Sequence, residues 1–428
     1  MKISKLIKEN SYAIYGLGLS GTSVHKFLKK IKVKKIYTWD DKKNSKNKKK
    51  YNLFRRMLDK VNYIVISPGI NIKKTRFKSI LLKNKKKIIT DLDLFYLQKL
   101  PITSIVITGT NGKSTTCKLI QHVLKTNKVN VQLGGNIGKP ILDLKIKKKI
   151  IVIIEASSFQ LSYSKFIKPK FAAILNITKD HLDWHGTIED YQNSKFNIFS
   201  KQDSQDYALL NNQELIRQFG KKFFLSKLIK IRGDSAEKSI KKYIKNKYLL
   251  SKPNLENVSF VYKLSSILKI KKKIILKALN TFKGLPHRNE IFYKKRGITF
   301  INDSKATSFE ATQYALKNNK NIFWIVGGRP KLGDRFNLQN LRKNIIKSYI
   351  IGKNINYFKK QIGKSVDYRS SFNLKNALQN IFKDLLFMKK KHATVLLSPA
   401  SASYDQFNNF TERGDQFKKL TLKYARKF

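Results

Sequence analysis

Apolar residues in this chain gather in short unbroken runs separated by polar and glycine-rich stretches. Tyr12 to Tyr15, Ile36 to Trp39 and Tyr63 to Ile66 are the first three. Ser104 to Thr108, Ile150 to Ile154 and Phe171 to Leu175 follow in the middle of the chain. Ile298 to Ile301, Phe323 to Val326, Ser348 to Ile351 and Thr394 to Leu397 complete the set. Runs of this length, bounded by turn-forming residues, predict buried strands. Between them lie stretches of helical character, from Gly21 to Ile31 and from Lys118 to Lys125. Strands alternating with helices predict an α/β fold built on parallel sheets.

The strands divide into three blocks, predicting domains over 1–100, 101–284 and 285–428. Most strands end in residues able to do chemistry: Gly16, Asp40-Asp41 and Ser67-Pro68-Gly69 in the first block, Gly109, Glu155 and Asn176 in the second. Asn302-Asp303-Ser304-Lys305, Gly327-Gly328, Gly352 and Ser398-Pro399 do so in the third. Ligands of parallel α/β sheets bind beyond the carboxyl ends of the strands, so this placement marks site residues.

Composition alters this picture little. The 428 residues carry a formal charge of +63, with 90 Lys and Arg. Such a balance can signal nucleic-acid binding. Yet the basic runs Lys42 to Lys50, Lys83 to Lys87 and Lys145 to Lys149 sit between apolar runs, lack interleaved aromatics and accompany no nucleic-acid motif. They read as solvated loops and faces. The single cysteine, Cys117, excludes an internal disulfide and suits a reducing compartment. No stretch of about 18 apolar residues appears, so the expectation is a cytoplasmic protein without a membrane span.

The chemistry concentrates in a few motifs. Gly109-Thr110-Asn111-Gly112-Lys113-Ser114-Thr115 follows a strand and opens a helix. Glycines let backbone N–H groups approach phosphate oxygens, Lys113 supplies charge, and a following hydroxyl can hold Mg²⁺. Only two residues separate the glycines, against four in the common nucleotide loop. Gly16 to Gly21 spells Gly-x-Gly-x-x-Gly after a strand, with Asp40 about 20 residues on. That pattern fits a dinucleotide, as in a dehydrogenase, and equally a nucleotide-sugar diphosphate. Glu155, closing an apolar strand, is placed to reach the metal of a bound nucleotide. His181 and His185 stand four apart, but the glutamate of a zinc-protease helix is missing, which argues against zinc. His185 reads as a surface residue. Among so many lysines, nothing in composition singles out Lys195.

Taken together, Gly109 to Thr115, Gly134 to Gly138, Glu155 to Leu161, Asp180 to Asp183, His287-Arg288, Asn302 to Thr307 and Ser398 to Phe407 resemble the Mur ligase family. The resemblance spans nearly the whole chain. It implies an N-terminal Rossmann-like UDP-binding domain, a central P-loop-type ATPase domain with a parallel sheet, and a C-terminal Rossmann-like domain that closes over ATP. The run Ser-Ser-Phe-Gln-Leu (157–161) and the stretch from Ser403 to Asp415 point to a member that joins D-glutamate to UDP-N-acetylmuramoyl-L-alanine, through an acyl phosphate, in peptidoglycan precursor synthesis.

By the same resemblance Leu19, Ser20, Asp40, Ser67, Gly69, Asn136 and Ser157 serve the UDP substrate. Gly109, Thr110, Asn111, Gly112, Lys113, Ser114, Thr115, Asn254, Arg288 and Asp303 serve ATP, with Asn257 beside Asn254. Ser114, Glu155, His181 and Lys195, the last as a carbamate, are implied ligands of two Mg²⁺ ions. Lys113, His181 and Lys195 are the implied catalytic residues, and Lys305, Ser403, Tyr404 and Phe410 hold glutamate. Pro253 stands where the family has a histidine. The resemblance implies no nucleic-acid partner and a monomer. A folate-type polyglutamate ligase shares the ATPase core but lacks a separate UDP domain, and the glycine-rich first block argues against it.

Overall fold

The computed structural model describes residues 5–44, 46–147, 149–231, 240–331, 333–363, 365–387 and 392–428. Sixteen strands form three sheets among these residues. The chain separates into two compact units, Met1–Phe282 and Lys283–Phe428.

The first unit holds two sheets. β1 (Tyr12–Tyr15), β2 (Ile36–Trp39), β3 (Tyr63–Ile66) and β4 (Ile88–Ile89) make a parallel sheet in the order β2-β1-β3-β4. Strand order reverses at β1, so the turn after it, Gly16 to Gly21, lies at the switch point where ligands bind in such sheets. β5 (Thr103–Thr108), β6 (Val131–Gly135), β7 (Ile151–Glu155), β8 (Phe171–Ile174), β9 (Tyr207–Leu210) and β10 (Lys227–Lys230) make the second, in the order β10-β9-β8-β5-β7-β6. Every pair is again parallel, and the reversal falls at β5, directly before Gly109.

β5 shows why the unbroken apolar runs form strands here. Ile105 and Ile107 point to one face, packed with Cys117, Ile120 and Val123 of the helix Lys113–Thr126 and with the helices Lys252–Ile267 and Lys272–Thr281. Val106 points to the other face, against Phe95, Leu161 and Ile198. A strand covered on both faces has no polar side to alternate with. Truncating one of these isoleucines to alanine costs about 3 kcal/mol. Cys117 is fully buried and serves as a small apolar residue.

The second unit is one six-stranded sheet: β11 (Glu290–Lys295), β12 (Ile298–Asn302), β13 (Ile322–Gly327), β14 (Ile345–Ile351), β15 (Tyr368–Phe372) and β16 (Ala393–Leu397), ordered β11-β12-β16-β13-β14-β15. Only β11 runs antiparallel. The carboxyl ends of β12, β16 and β13 thus lie side by side and carry Asp303, Ser398 and Gly328.

Every apolar run read as a strand forms one, with ends shifted by a few residues at most. Beyond those runs lie β4, β6 and β9, and the edge strands β10, β11 and β15, whose residues are largely polar and partly exposed. Lysines on an exposed edge keep it from pairing with another chain. Lys48 to Lys50 open the helix Lys48–Lys60 instead of lying in a loop. No helix among the described residues is long and apolar enough to cross a membrane.

Candidate active site

The first glycine turn is folded by carboxylates and close contacts. Gly16 has φ +89°, and a Cβ on Gly21 would stand 1.8 Å from the Gly16 carbonyl oxygen. Only glycine allows the backbone to cross itself this closely. The helix Leu19–Lys30 starts at Gly18 with no side-chain cap, leaving its first N–H groups for a ligand. Asp40 accepts from Leu17 N at 2.7 Å and from Lys42 N and Lys43 N. Burial opposes its charge, but those backbone donors outweigh it and hold the carboxyl below its usual range. The Ser67 hydroxyl donates to the Gly16 carbonyl.

Around this turn opens a cavity of about 580 Å³. Leu19, Ser20, Asp40, Ser67, Gly69 and Asn136 all line it. Leu19 is 84% exposed, an apolar side chain left at the rim. Ser157 is not on the wall. Its hydroxyl is occupied in a capping box with Gln160, and Gln160 faces the cavity in its place. The Ser-x-x-Gln spacing of such a box was present in the sequence and marks Gln160.

Asn136 carries the cavity toward the second loop. Its side-chain amide donates to Glu155 Oε1 at 2.8 Å. Glu155 is 2% exposed, and its other oxygen, Oε2, has no hydrogen-bond partner. A bare carboxylate oxygen in the interior is costly. A divalent cation would satisfy it, so the donor set fits Mg²⁺ at this carboxylate.

In the second loop Gly112 takes φ +82° and caps the helix Lys113–Thr126 with no side-chain hydrogen bond. A Cβ there would lie 2.2 Å from Asn257 Oδ1. Asn257 in turn donates to Asn254 Oδ1, so both asparagines stand on the helix behind the loop. Pro253 sits in the first turn of that helix, where a missing N–H costs nothing. Asn176 braces the loop from β8, accepting from Asn111 N at 2.8 Å.

Two ammonium groups converge on one carbonyl. Lys113 Nζ lies 2.7 Å from the Gly109 oxygen and Lys195 Nζ 3.0 Å from it. Composition gave no reason to single out Lys195, yet it is 1% exposed. Burial pushes its pKa well below the ordinary lysine value, and Lys113 adds repulsion. Its ammonium also stands 4.4 Å from the centre of the Tyr191 ring. Tyr191 touches the loop as well, with its hydroxyl 3.0 Å from Thr110 Oγ1, and its ring is 6.4 Å from that of His181. His181, in the left-handed region at φ +55°, packs on Phe159. His185 is a buried residue, not a surface one. It stacks on Phe159, pairs with the Ser158 hydroxyl at 3.0 Å, and burial lowers its pKa to about 4.

In the second unit Asp303 accepts from Asn289 N and from the Ser398 hydroxyl. Burial raises its pKa to about 7. Arg288 lies close enough to offset part of that rise. Lys305 Nζ stands 3.9 Å from the centre of the Phe410 ring. Ser403 is buried and Tyr404 is 68% exposed. Arg413, absent from the sequence reading as a site residue, is buried and ties Ser304 to Ser401 through three hydrogen bonds.

Residues 107–278 match the family model described as the Mur ligase middle domain. A UDP-N-acetylmuramoylalanine–D-glutamate ligase of Rickettsia felis is 34% identical over 440 residues, covering 96% of this chain and 97% of its own. The enzyme of the same name from Aquifex aeolicus is 34% identical over 420 residues, covering 96% and 98%. The MurF ligase of Thermotoga maritima, solved with ADP, matches in fold with a TM-score of 0.56 over 99% of this chain and 97% of its own, at 18% identity. The chain belongs to the Mur ligase family.

Proposed function

We propose that this protein is the ligase that joins D-glutamate to UDP-N-acetylmuramoyl-L-alanine, with ATP converted to ADP and phosphate. The relatives of that name match along nearly the full chain. The observation that carries the reading is the pair of glycine turns in one compact unit, linked through Asn136 and Glu155.

The uridine diphosphate lies in the 580 Å³ cavity on the uncapped helix start, with Leu19 at the rim. Asn136, with Gln160 set by Ser157, guides the muramoyl-alanine end toward Glu155. ATP replaces the contact that Lys113 makes with the Gly109 carbonyl. Lys113 then faces the phosphates, where fixed charge and positioning supply most of the rate enhancement. Asn254 and Asn257 hold the adenine side, and Arg288 and Asp303 reach the nucleotide. The terminal carboxylate of the substrate takes the γ-phosphoryl group. The amine of glutamate, held by Lys305, Ser403, Tyr404 and Phe410, attacks the acyl phosphate and expels phosphate as the amide forms.

Mg²⁺, two ions in this reading, would neutralise phosphate charge, with Ser114, Glu155, His181 and carbamylated Lys195 as ligands. A lysine whose pKa is lowered by burial is in part a free amine, the form that reacts with CO₂. The reading places the reaction in the cytoplasm, by a monomer with domains over 1–100, 101–284 and 285–428.

The test is ADP release with UDP-N-acetylmuramoyl-L-alanine and a panel of amino acids. D-glutamate should drive turnover, and L-glutamate and other amino acids should not. Equal turnover with L-glutamate or with another amino acid would reject this specificity.

A further inference from the structure

The walls of the UDP-substrate cavity depend on a buried carboxylate that does not itself line it. Asp91 is 3% exposed and opens the short helix Asp91–Leu97. That helix is capped by Thr90 and Asp93, and the Asp91 carboxylate also faces the backbone N–H groups of Asp91 and Leu92 at its start. It also accepts from Gln160 Nε2 at 3.1 Å, and the Ser20 hydroxyl beside it favours its charged form. Both Gln160 and Ser20 face the cavity.

Each bond fixes an orientation. Gln160 Oε1 accepts from Ser157 N and Ser157 Oγ, so with Nε2 held by Asp91 its amide cannot turn over. Ser20, with the Asp91 carboxylate beside it to draw its proton, can present lone pairs to the cavity and suits a hydroxyl or amide donor on the substrate. Ser20 also belongs to the first turn of the helix whose free N–H groups await the diphosphate. Asp91 therefore joins the diphosphate end of the cavity to its muramoyl end. Burial pushes its carboxyl pKa up, so the donors on it are what keep the site satisfied.

We propose that Asp91 is a positioning residue for the UDP substrate, acting through Ser20 and Gln160. The proposal rests on the reading of the cavity as the UDP-substrate pocket.

Steady-state kinetics of Asp91→Asn test it. The amide keeps the volume but turns one acceptor into a donor, which opposes either Ser20 or Gln160. The KM for UDP-N-acetylmuramoyl-L-alanine should rise about tenfold, with kcat and the KM values for ATP and D-glutamate within about twofold of wild type. In a Ser20→Ala background the same change should have a clearly smaller effect, since part of its action is already lost. Asp143→Asn is the control. Asp143 is exposed and anchors the same helix by accepting from Ser23 at 2.7 Å, so its loss should leave the KM within about twofold. If Asp91→Asn is not recovered folded, Asp91→Ser carries the same expectation. An unchanged KM for the UDP substrate, an equal rise for all three substrates, strict additivity with Ser20→Ala, or an equal effect of Asp143→Asn would each overturn the proposal. An unchanged KM in Ser20→Ala alone would instead remove the assignment of the cavity.

Discussion

The two glycine turns of the first unit look alike in sequence and are held by opposite means. Gly16 to Gly21 is folded by an anion: Asp40 gathers the N–H groups of Leu17, Lys42 and Lys43, and the cavity beside it stands open. Gly109 to Thr115 is folded by cations, with Lys113 and Lys195 drawn onto one carbonyl. A turn that only binds a diphosphate can take a permanent carboxylate brace at its base. A turn that must stabilise a transferring phosphoryl group keeps its positive charge inside, ready to exchange a weak partner for a stronger one.

Removing the charge from the second turn should have the largest effect. Lys113→Ala should lower turnover by a factor of about 10³ or more, since fixed charge on the phosphates supplies most of the rate. Its melting temperature should change little, because the Lys113 ammonium hydrogen-bonds to the Gly109 and Thr110 carbonyls of its own loop. Sustained ADP release would show that the cations merely fold the loop. Next comes Lys195→Ala, expected to cost about 10²-fold in kcat. Short carboxylic acids should restore part of the activity if a carbamate is what is missing, and wild-type turnover should fall when bicarbonate is stripped. Full wild-type activity without bicarbonate would leave Lys195 as a plain ammonium.

The first turn should break sterically. In Gly21→Ala the new methyl meets the Gly16 oxygen, which should cost about 3 kcal/mol by denaturant titration. The KM for the UDP substrate should rise with the KM for ATP unchanged. Parallel rises in both would mean that the turns are not independent.

The smallest effect concerns acid. His185 is held neutral, with its pKa lowered from 6.5 to about 4. A depressed histidine pKa favours the fold at all pH values above the ordinary one, and that contribution is lost as pH falls through the folded-state value. Stability should therefore drop by on the order of 2 kcal/mol between about pH 6.5 and 4. His185→Gln should flatten this part of the urea-midpoint profile, and an unaltered profile would assign the loss to other groups.

Much of this was legible in the chain because parallel sheets advertise themselves. Strands such as Ile105-Val106-Ile107, covered on both faces, leave continuous apolar runs, and glycine turns at their ends mark the switch points. The polar edge strands, such as Lys227–Lys230, leave no such run. The cavity wall was legible in Asp40, Ser67 and Gly69 from strand ends, and in Leu19, Ser20 and Asn136 through the family resemblance. Composition could not single out Lys195, and His185 was misjudged on residue type, because their burial depends on Tyr191 and Phe159, which pack there only in three dimensions. Asp91 and Arg413 are silent in sequence for the same reason: what they hold lies 69 and 109 residues away.

Glu155 also ties chemistry to the fidelity of folding. In the ladder it stands between Ile107 of β5 and Gly135 of β6. A Cβ on Gly135 would sit 2.5 Å from the Glu155 carbonyl oxygen, so this alignment admits almost no other residue. Parallel neighbours have no hairpin to set their offset. A slip of one residue would carry Glu155 to the opposite face of the sheet. A chain trapped that way would keep its strands, its helices and most of its compactness, yet would be inert. For preparations recovered from denaturant, circular dichroism would then overstate the yield, and counting competent sites would be the sounder measure.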